Sequence, residues 1–231
     1  MGQLSKIVEV KRIIYDNDNM PVFFDKSLIG AVQSQLLVYE YVFENNFIDG
    51  KNPRLKSLAE FWEAKQARYL AIIRYLTDNK NLTVLDIGCG RGEFLRILRN
   101  DGWKNISGID IHPKSLSLSQ RYAPVKSLDM HFCKELGQHD IIWASNILQH
   151  SYNPELLMEN LWKITGKFLY IELPIQTFDM AVRPFEGHVF YCDNPDCLIG
   201  YVYKTLPYIT EVIYHSDDKP SVFSVGMILR K

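Results

Sequence analysis

The sequence predicts an α/β fold, a mostly parallel sheet covered by helices on both faces. Three observations predict it. Past residue 80, short apolar runs alternate with helical patterns, the rhythm of a chain that lays strands side by side and crosses back over them with helices. One run ends in a loop with glycine at every second position, Gly88, Gly90 and Gly92, where a helical pattern starts. The next run ends in an acid, Asp110, 22 residues after Gly88.

The first 50 residues keep no steady period, and the stretch from Asp16 to Pro21 reads as a turn or loop. Residues 28–47 look helical, and Asp49-Gly50-Lys51-Asn52-Pro53 breaks the pattern. The longest helical pattern covers 55–76, where Leu55, Leu58, Phe61, Trp62, Tyr69, Ile72, Ile73 and Leu76 recur at three- and four-residue steps. Strands are expected over 82–87, 106–111, 139–144, 168–173, 209–215 and 222–229, with a shorter one near 125–128. Helices are expected over 92–99, 114–121 and 154–164. The last two strands flank a turn at Asp217-Asp218-Lys219-Pro220 and should pair as a hairpin. The chain thus divides into a helical N-terminal extension or lid, residues 1–80, and one α/β domain, residues 81–231.

Composition narrows the function. With 26 basic and 27 acidic side chains in 231 residues, the net charge is -1, which offers no global field toward nucleic acid or an anionic membrane. At 47% hydrophobic and 23% charged, the chain is an ordinary globule rather than a disordered one. The many aromatic side chains supply core area, with a pocket wall as the sharper alternative. Cys89, Cys133, Cys192 and Cys197 form no paired CxxC units, so reduced thiols are expected. His188, Cys192 and Cys197 lack a fourth ligand nearby, so no metal is expected. No apolar run approaches the ~18 residues that span a bilayer, and the opening residues carry no apolar leader core. A cytoplasmic location without membrane insertion is the expectation.

The stretch from Val84 to Leu95 carries most of the chemistry. Glycine permits unusual backbone angles and lets a ligand touch the backbone, and the helix N-terminus behind the loop favours a polar or anionic group. Asp86, at the strand end, is within reach of a ligand ammonium or a loop amide. Adjacent strand ends would bring Asp110 beside the loop, where an acid accepts both hydroxyls of a ribose. The plainer readings are a tight strand-to-helix turn with no ligand, and an acid that merely starts a loop or caps a helix.

Asp86-Ile87-Gly88-Cys89-Gly90-Arg91-Gly92-Glu93-Phe94, followed by Gly108-Ile109-Asp110-Ile111-His112-Pro113-Lys114, resembles the first two motifs of the class I S-adenosylmethionine-dependent methyltransferases. Residues 138–150 resemble that family's fourth-strand segment, and 161–174 its next helix, turn and fifth strand, with the usual Pro-Gly-Gly turn reduced to Thr165-Gly166-Lys167. The resemblance covers 82–175 and, by pattern, the C-terminal hairpin. It implies a Rossmann-like seven-stranded sheet with the last strand antiparallel, and S-adenosyl-L-methionine as cofactor. Gly88, Cys89 and Gly90 would approach the cofactor's methionine portion with Asp86 beneath, Asp110 would bind the ribose, and Ile111 would lie against adenine. Asp129, 11 residues before Asp140, would contact the adenine amino group, with Ser127 or Met130 as alternatives. Asn146 and Ile147 would line the sulfonium end.

Methyl transfer leaves the protein to position a nucleophile and exclude water, and a hydroxyl acceptor also benefits from a general base. His150, after the fourth-strand segment, and His188, after the fifth, are the candidates, each with a structural alternative. Glu172 reads as a solvated or hydrogen-bonded strand end with a lesser claim on substrate, and Arg183 as a partner for an acidic substrate. Tyr39, Tyr41, Phe61 and Trp62 are possible walls of a lid, and at helical spacing more often core. The leading expectation is a methyltransferase for a small-molecule acceptor, a hydroxyl of a sugar, glycan precursor or secondary metabolite, with no nucleic-acid partner. An N- or carboxyl-methyltransferase and a non-catalytic cofactor-binding scaffold are the alternatives. A nicotinamide-dependent oxidoreductase is disfavoured, because its GxGxxG spacing differs from glycines at 88, 90 and 92.

Overall fold

The computed structural model describes residues 13–15, 21–23, 53–151, 153–175, 195–206, 209–216 and 223–231. The helix expected over 28–47 lies outside them, as do Tyr39, Tyr41, Arg183 and His188. Two short strands, β1 (Ile13–Tyr15) and β2 (Pro21–Phe23), pair antiparallel with Ile14 opposite Val22. The N-terminal extension therefore carries strand as well as helix. The residues read as a turn fall between the strands, and Pro21, expected in that turn, begins β2, a position that requires no donor from it.

Helix α1 (Pro53–Leu76) leads into the sheet. The strands are β3 (Val84–Ile87), β4 (Ile106–Asp110), β5 (Val125–Ser127), β6 (His139–Ser145), β7 (Thr165–Ile175), β8 (Ile209–Ser216) and β9 (Phe223–Arg230). They form one sheet in the order β5-β4-β3-β6-β7-β9-β8. Neighbours from β5 to β7 are parallel, and β9 runs antiparallel to both β7 and β8, so it alone opposes the rest. The expected hairpin is β8–β9. The chain proceeds outward from β3 to β4 and β5, then returns to place β6 on the other side of β3. This reversal opens a crevice at the carboxyl ends of β3 and β6.

Parallel strands covered on both faces must be apolar on both, and the core divides accordingly. Leu85, Ile142, Leu169, Ile171 and Met227 face α4 (Pro154–Ile164) and α5 (Pro195–Thr205), whose Leu157, Leu161 and Val202 close that core. Val84, Ile141, Trp143, Tyr170 and Ile228 face Tyr69, Ile72 and Ile73 of α1 and Leu95 and Leu98 of α2 (Glu93–Asn100). On this face Trp143 stacks on Tyr170 and on Phe94, with ring centroids 3.9 and 4.3 Å apart. Helix α3 (Pro113–Ser119) and α4 both start with proline behind a side-chain cap, His112 accepting from Ser115 N–H and Asn153 from Leu156 N–H. Two 3-10 turns, Met130–Leu136 and Leu148–His150, and α5 have no counterpart in the sequence expectations.

Strand β7 starts at Thr165, one residue past α4, so the residues expected as a turn are already strand. The Thr165 hydroxyl donates to Leu161 O at 2.7 Å, closing the helix end, and β6 slips register between His139 and Ile141 beside it. A Cβ on Gly166 would lie 2.8 Å from His139 O and 3.2 Å from Asp140 Cα, both backbone atoms that cannot swing away. Gly166→Ala is expected to destabilise by about 1–3 kcal/mol, at roughly 2–4 °C per kcal/mol for a chain of this size. A thermal melt showing an unchanged midpoint would contradict this packing.

Candidate functional site

Two glycines shape the loop after β3. Gly88 has φ 69° and Gly90 φ 52°, in the left-handed region that glycine adopts without steric cost. A Cβ on Gly88 would come 2.5 Å from Ile147 Cγ2, so the loops after β3 and β6 touch across the crevice. A Cβ on Gly90 would meet nothing within 4 Å, so Gly90 borders open space. Gly92 caps α2 and packs against the Ser119 backbone, a structural duty. Cys89 is buried, its N–H donating to Ile109 O at 2.9 Å, and burial pushes its thiol up, which keeps it neutral and unreactive.

Asp110 binds this loop to the end of β4. Its Oδ2 accepts Gly90 N–H at 2.9 Å and its Oδ1 accepts His112 N–H at 2.8 Å. A carboxylate has about four lone-pair sites, so these two bonds do not exhaust it. Burial raises the Asp110 carboxyl above the usual range, while the amide bonds pull it down. Asp86, in β3, is buried, and burial, then the charges of Asp110 and Glu93, hold its carboxyl well above the usual range. Acids that resist ionisation around an open glycine loop suit a ligand that brings positive charge and hydroxyl donors. The donor set therefore fits S-adenosylmethionine, with an ammonium and a sulfonium for the acids and a ribose for Asp110. Ile111 follows Asp110 and is half-buried.

Asp129 has a partner the sequence reading did not foresee. It caps the first 3-10 turn, its Oδ1 accepting His131 N–H at 2.8 Å and lying 2.7 Å from His131 Nδ1. His131 Nε2 lies 2.7 Å from Ser151 Oγ. This buried bridge joins the segment after β5 to the one carrying His150. His150 itself is half-buried, its N–H donating to Ile147 O at 2.9 Å.

At the ends of β6 and β7 lies a cluster that was largely missed. Glu172 is not a solvated strand end: it is 1% exposed and pairs at 3.1 Å with Lys65, which is 2% exposed. Its Oε2 accepts the hydroxyls of Tyr69 and, at 2.7 Å, Ser145. Burial alone would raise the Glu172 carboxyl, but the Lys65 ammonium and these donors outweigh it and hold it below the usual range. Tyr69 is driven the other way by burial and the Glu172 charge, which keeps it a donor. Asn146 has φ 53°, and its N–H donates to Glu172 O at 2.9 Å. One signal for this cluster was legible: Lys65 and Tyr69 stand four residues apart on the apolar face of α1, where a lysine needs a buried carboxylate. Among the described residues no three metal-ligating side chains cluster.

Two measurements test this site. Asp110→Ala should weaken S-adenosylhomocysteine by about 1.5–3 kcal/mol, with Asp110→Asn milder because one carbonyl acceptor survives, though its amide then opposes one backbone N–H. Equal affinity in all three proteins by calorimetry would move the ribose elsewhere. For the pH dependence, Asp86 and Asp110 have raised carboxyls in the free protein, and a cationic, hydroxyl-donating ligand favours their ionised form. S-adenosylmethionine binding should therefore release protons, and its affinity should climb as pH rises above the ordinary aspartate range. Calorimetry in buffers of different ionisation heat reads the proton count, and proton uptake would refute the assignment.

A family model described as a methyltransferase domain matches residues 61–183, more than half of the chain. A tRNA U34 carboxymethyltransferase from Actinobacillus pleuropneumoniae serotype 7 (strain AP76) is 26% identical over 153 residues, 58% of this chain. That match is 47% of the relative, so the chain spans about half its length. Among solved structures, magnesium protoporphyrin IX methyltransferase from Synechocystis PCC 6803 with bound S-adenosylhomocysteine superposes with TM-score 0.67 at 16% identity, over 86% of this chain and 99% of that one. The plantazolicin methyltransferase, in complex with a triazolic desmethylPZN analog and S-adenosylhomocysteine, gives TM-score 0.56 at 13% identity, over 89% and 97%. At such identities the likeness is one of fold. The matched domain and the crevice it contains place the chain in the S-adenosylmethionine-dependent class I methyltransferases.

Proposed function

We propose that the protein methylates a small-molecule acceptor, with a hydroxyl of a sugar, glycan precursor or secondary metabolite as the first choice and an amine or carboxylate as the second. The observation that carries the reading is the open space at Gly90, whose N–H is held by the buried Asp110, with Asp86 buried in the strand that leads into the loop. When bound, S-adenosylmethionine supplies an electrophilic methyl group on a sulfonium. Asp110 then takes the ribose hydroxyls, and Asp86 with Gly88, Cys89 and Gly90 cradles the methionine portion. Ile111 and Asp129 serve the adenine, and Asn146 and Ile147 the sulfonium end. His150 or His188 would take the acceptor proton as the acceptor oxygen bonds to the methyl carbon and the carbon–sulfur bond breaks, leaving S-adenosylhomocysteine. The near-neutral charge supports a small acceptor, as do the acceptors named for the porphyrin and plantazolicin enzymes. A tRNA nucleoside is the second reading, favoured by the carboxymethyltransferase relative.

Labelled S-adenosylmethionine offered with panels of hydroxyl, amine and carboxylate compounds and with bulk tRNA separates these readings. Label is expected in a small-molecule hydroxyl, and label found only in tRNA would overturn the reading. With the acceptor in hand, replacing the base by alanine, His188→Ala or His150→Ala, should cost about 10²–10⁴ in turnover. Loss at His188 should leave cofactor affinity unchanged. Near-normal turnover in both variants would show that neither histidine is the base.

A further inference from the structure

The cluster under α1 has a direction. Lys65 Nζ donates to Glu172 Oε1, and Glu172 Oε2 receives the hydroxyl hydrogens of Tyr69 and Ser145. The two hydroxyls also hydrogen-bond each other, and with their two hydrogens shared between Glu172 and that mutual contact, both oxygens face Asn146 as acceptors. The Asn146 side-chain amide supplies the matching donors, Nδ2 lying 2.9 Å from Ser145 Oγ and 3.3 Å from Tyr69 OH. A reversed amide would set its carbonyl oxygen against two hydroxyl oxygens with no hydrogen between them. The carboxylate therefore fixes which way the amide lies, and among the described residues no hydrogen bond reaches Asn146 Oδ1. The backbone is held as well: Asn146 N–H donates to Glu172 O and Asn146 O accepts Gln149 Nε2 at 2.9 Å, which sustains a left-handed conformation uncommon for a residue with a Cβ. The next residue, Ile147, is the one pressed on Gly88.

We propose that Glu172 is a positioning residue for the methyl-donor site: through Tyr69 and Ser145 it orients the Asn146 amide so that Oδ1 is presented, as a fixed partial negative charge, to the cationic end of the cofactor. The inference rests on the reading of function above, which puts the sulfonium end at Asn146. Glu172 itself touches none of the reacting atoms and acts only through the two hydroxyls. Tyr69, held as a donor to Glu172, has no part as a base. Lys65 supplies the countercharge that keeps the carboxylate ionised.

The test compares two ligands that differ in charge at sulfur. S-adenosylmethionine carries a sulfonium and S-adenosylhomocysteine a neutral thioether. The variant Tyr69→Phe/Ser145→Ala removes both hydroxyls while leaving the Lys65–Glu172 pair intact. Calorimetry should show S-adenosylmethionine weakened by roughly 3- to 10-fold, the range of a lost hydrogen-bonded arrangement, with S-adenosylhomocysteine weakened distinctly less. Amide exchange over residues 145–148 should quicken in the same variant. If the double variant does not fold, Tyr69→Phe, which keeps the ring that packs on Trp143 and Tyr170, should show the same selectivity change at smaller size. An unchanged ratio of the two affinities in a folded variant would overturn the inference and reduce the cluster to a structural tie. Wild-type protein that binds neither ligand would instead overturn the reading of function, and this inference with it.

Discussion

One carboxylate joins the two strand ends on which the crevice depends. Asp110, at the end of β4, accepts an amide from the loop after β3 and another from the residue that caps α3. The Gly90 bond crosses from one strand to its neighbour and holds the glycine loop where, among the described residues, an added Cβ would meet nothing within 4 Å. The His112 bond turns the chain into α3 immediately after β4, so the acid stays at the strand end. The loop after β6 completes the arrangement by contact, since Ile147 fills the position that a side chain at residue 88 would need. Three consecutive parallel strands, β4, β3 and β6, thus deliver their ends to one place, and the chain's return across β3 is what puts them there.

Much of this was legible because its signals are local. The alternation of apolar runs and helical periods placed the strands from β3 to β9 to within a few residues at nearly every end. The glycine spacing and the acid 22 residues on marked the crevice before any geometry was known. What stayed hidden depends on pairs distant in sequence. Glu172 reads in sequence as a solvated or hydrogen-bonded strand end, and which of the two holds depends on a partner, Lys65, that lies 107 residues earlier. Asp129 was read through a family pattern, and its hold on His131, two residues away, was overlooked although short capping bonds of this kind are local. The 3-10 turns have no apolar period to betray them, and α5 lacked a flanking motif. The turn at Thr165 was carried over from the family pattern, whereas here Gly166 permits β7 to pass close to the backbone of β6.

Helix α1 is more than a cover for the second core. Its apolar face packs on Val84, Ile141 and Trp143, and on that same face Lys65 and Tyr69 reach a carboxylate at the far end of β7. A lysine buried without a partner would be severely destabilising, so the helix and the strand end depend on each other. The family match beginning at residue 61 includes this half of the helix. That match starts upstream of β3, and both partners of the Lys65–Glu172 pair lie within it.

The buried carboxylates of the crevice fall into two kinds, and the difference says where a ligand belongs. Glu172 has its cation and its donors within the protein, and its carboxyl is held below the usual range. Among the described residues Asp86 and Asp110 pair with no such ammonium: their carboxyls are raised, and Asp86 is further burdened by its acidic neighbours. A site complete in itself has nothing to gain from a charged ligand, whereas a pair of acids held in a state they resist gains whatever attraction a cation brings. The two kinds are joined through the contact of Ile147 with Gly88, one residue past the asparagine that Glu172 restrains. Glu172 has its donors within the protein, and the raised Asp86 and Asp110 are the acids that a positively charged ligand would relieve.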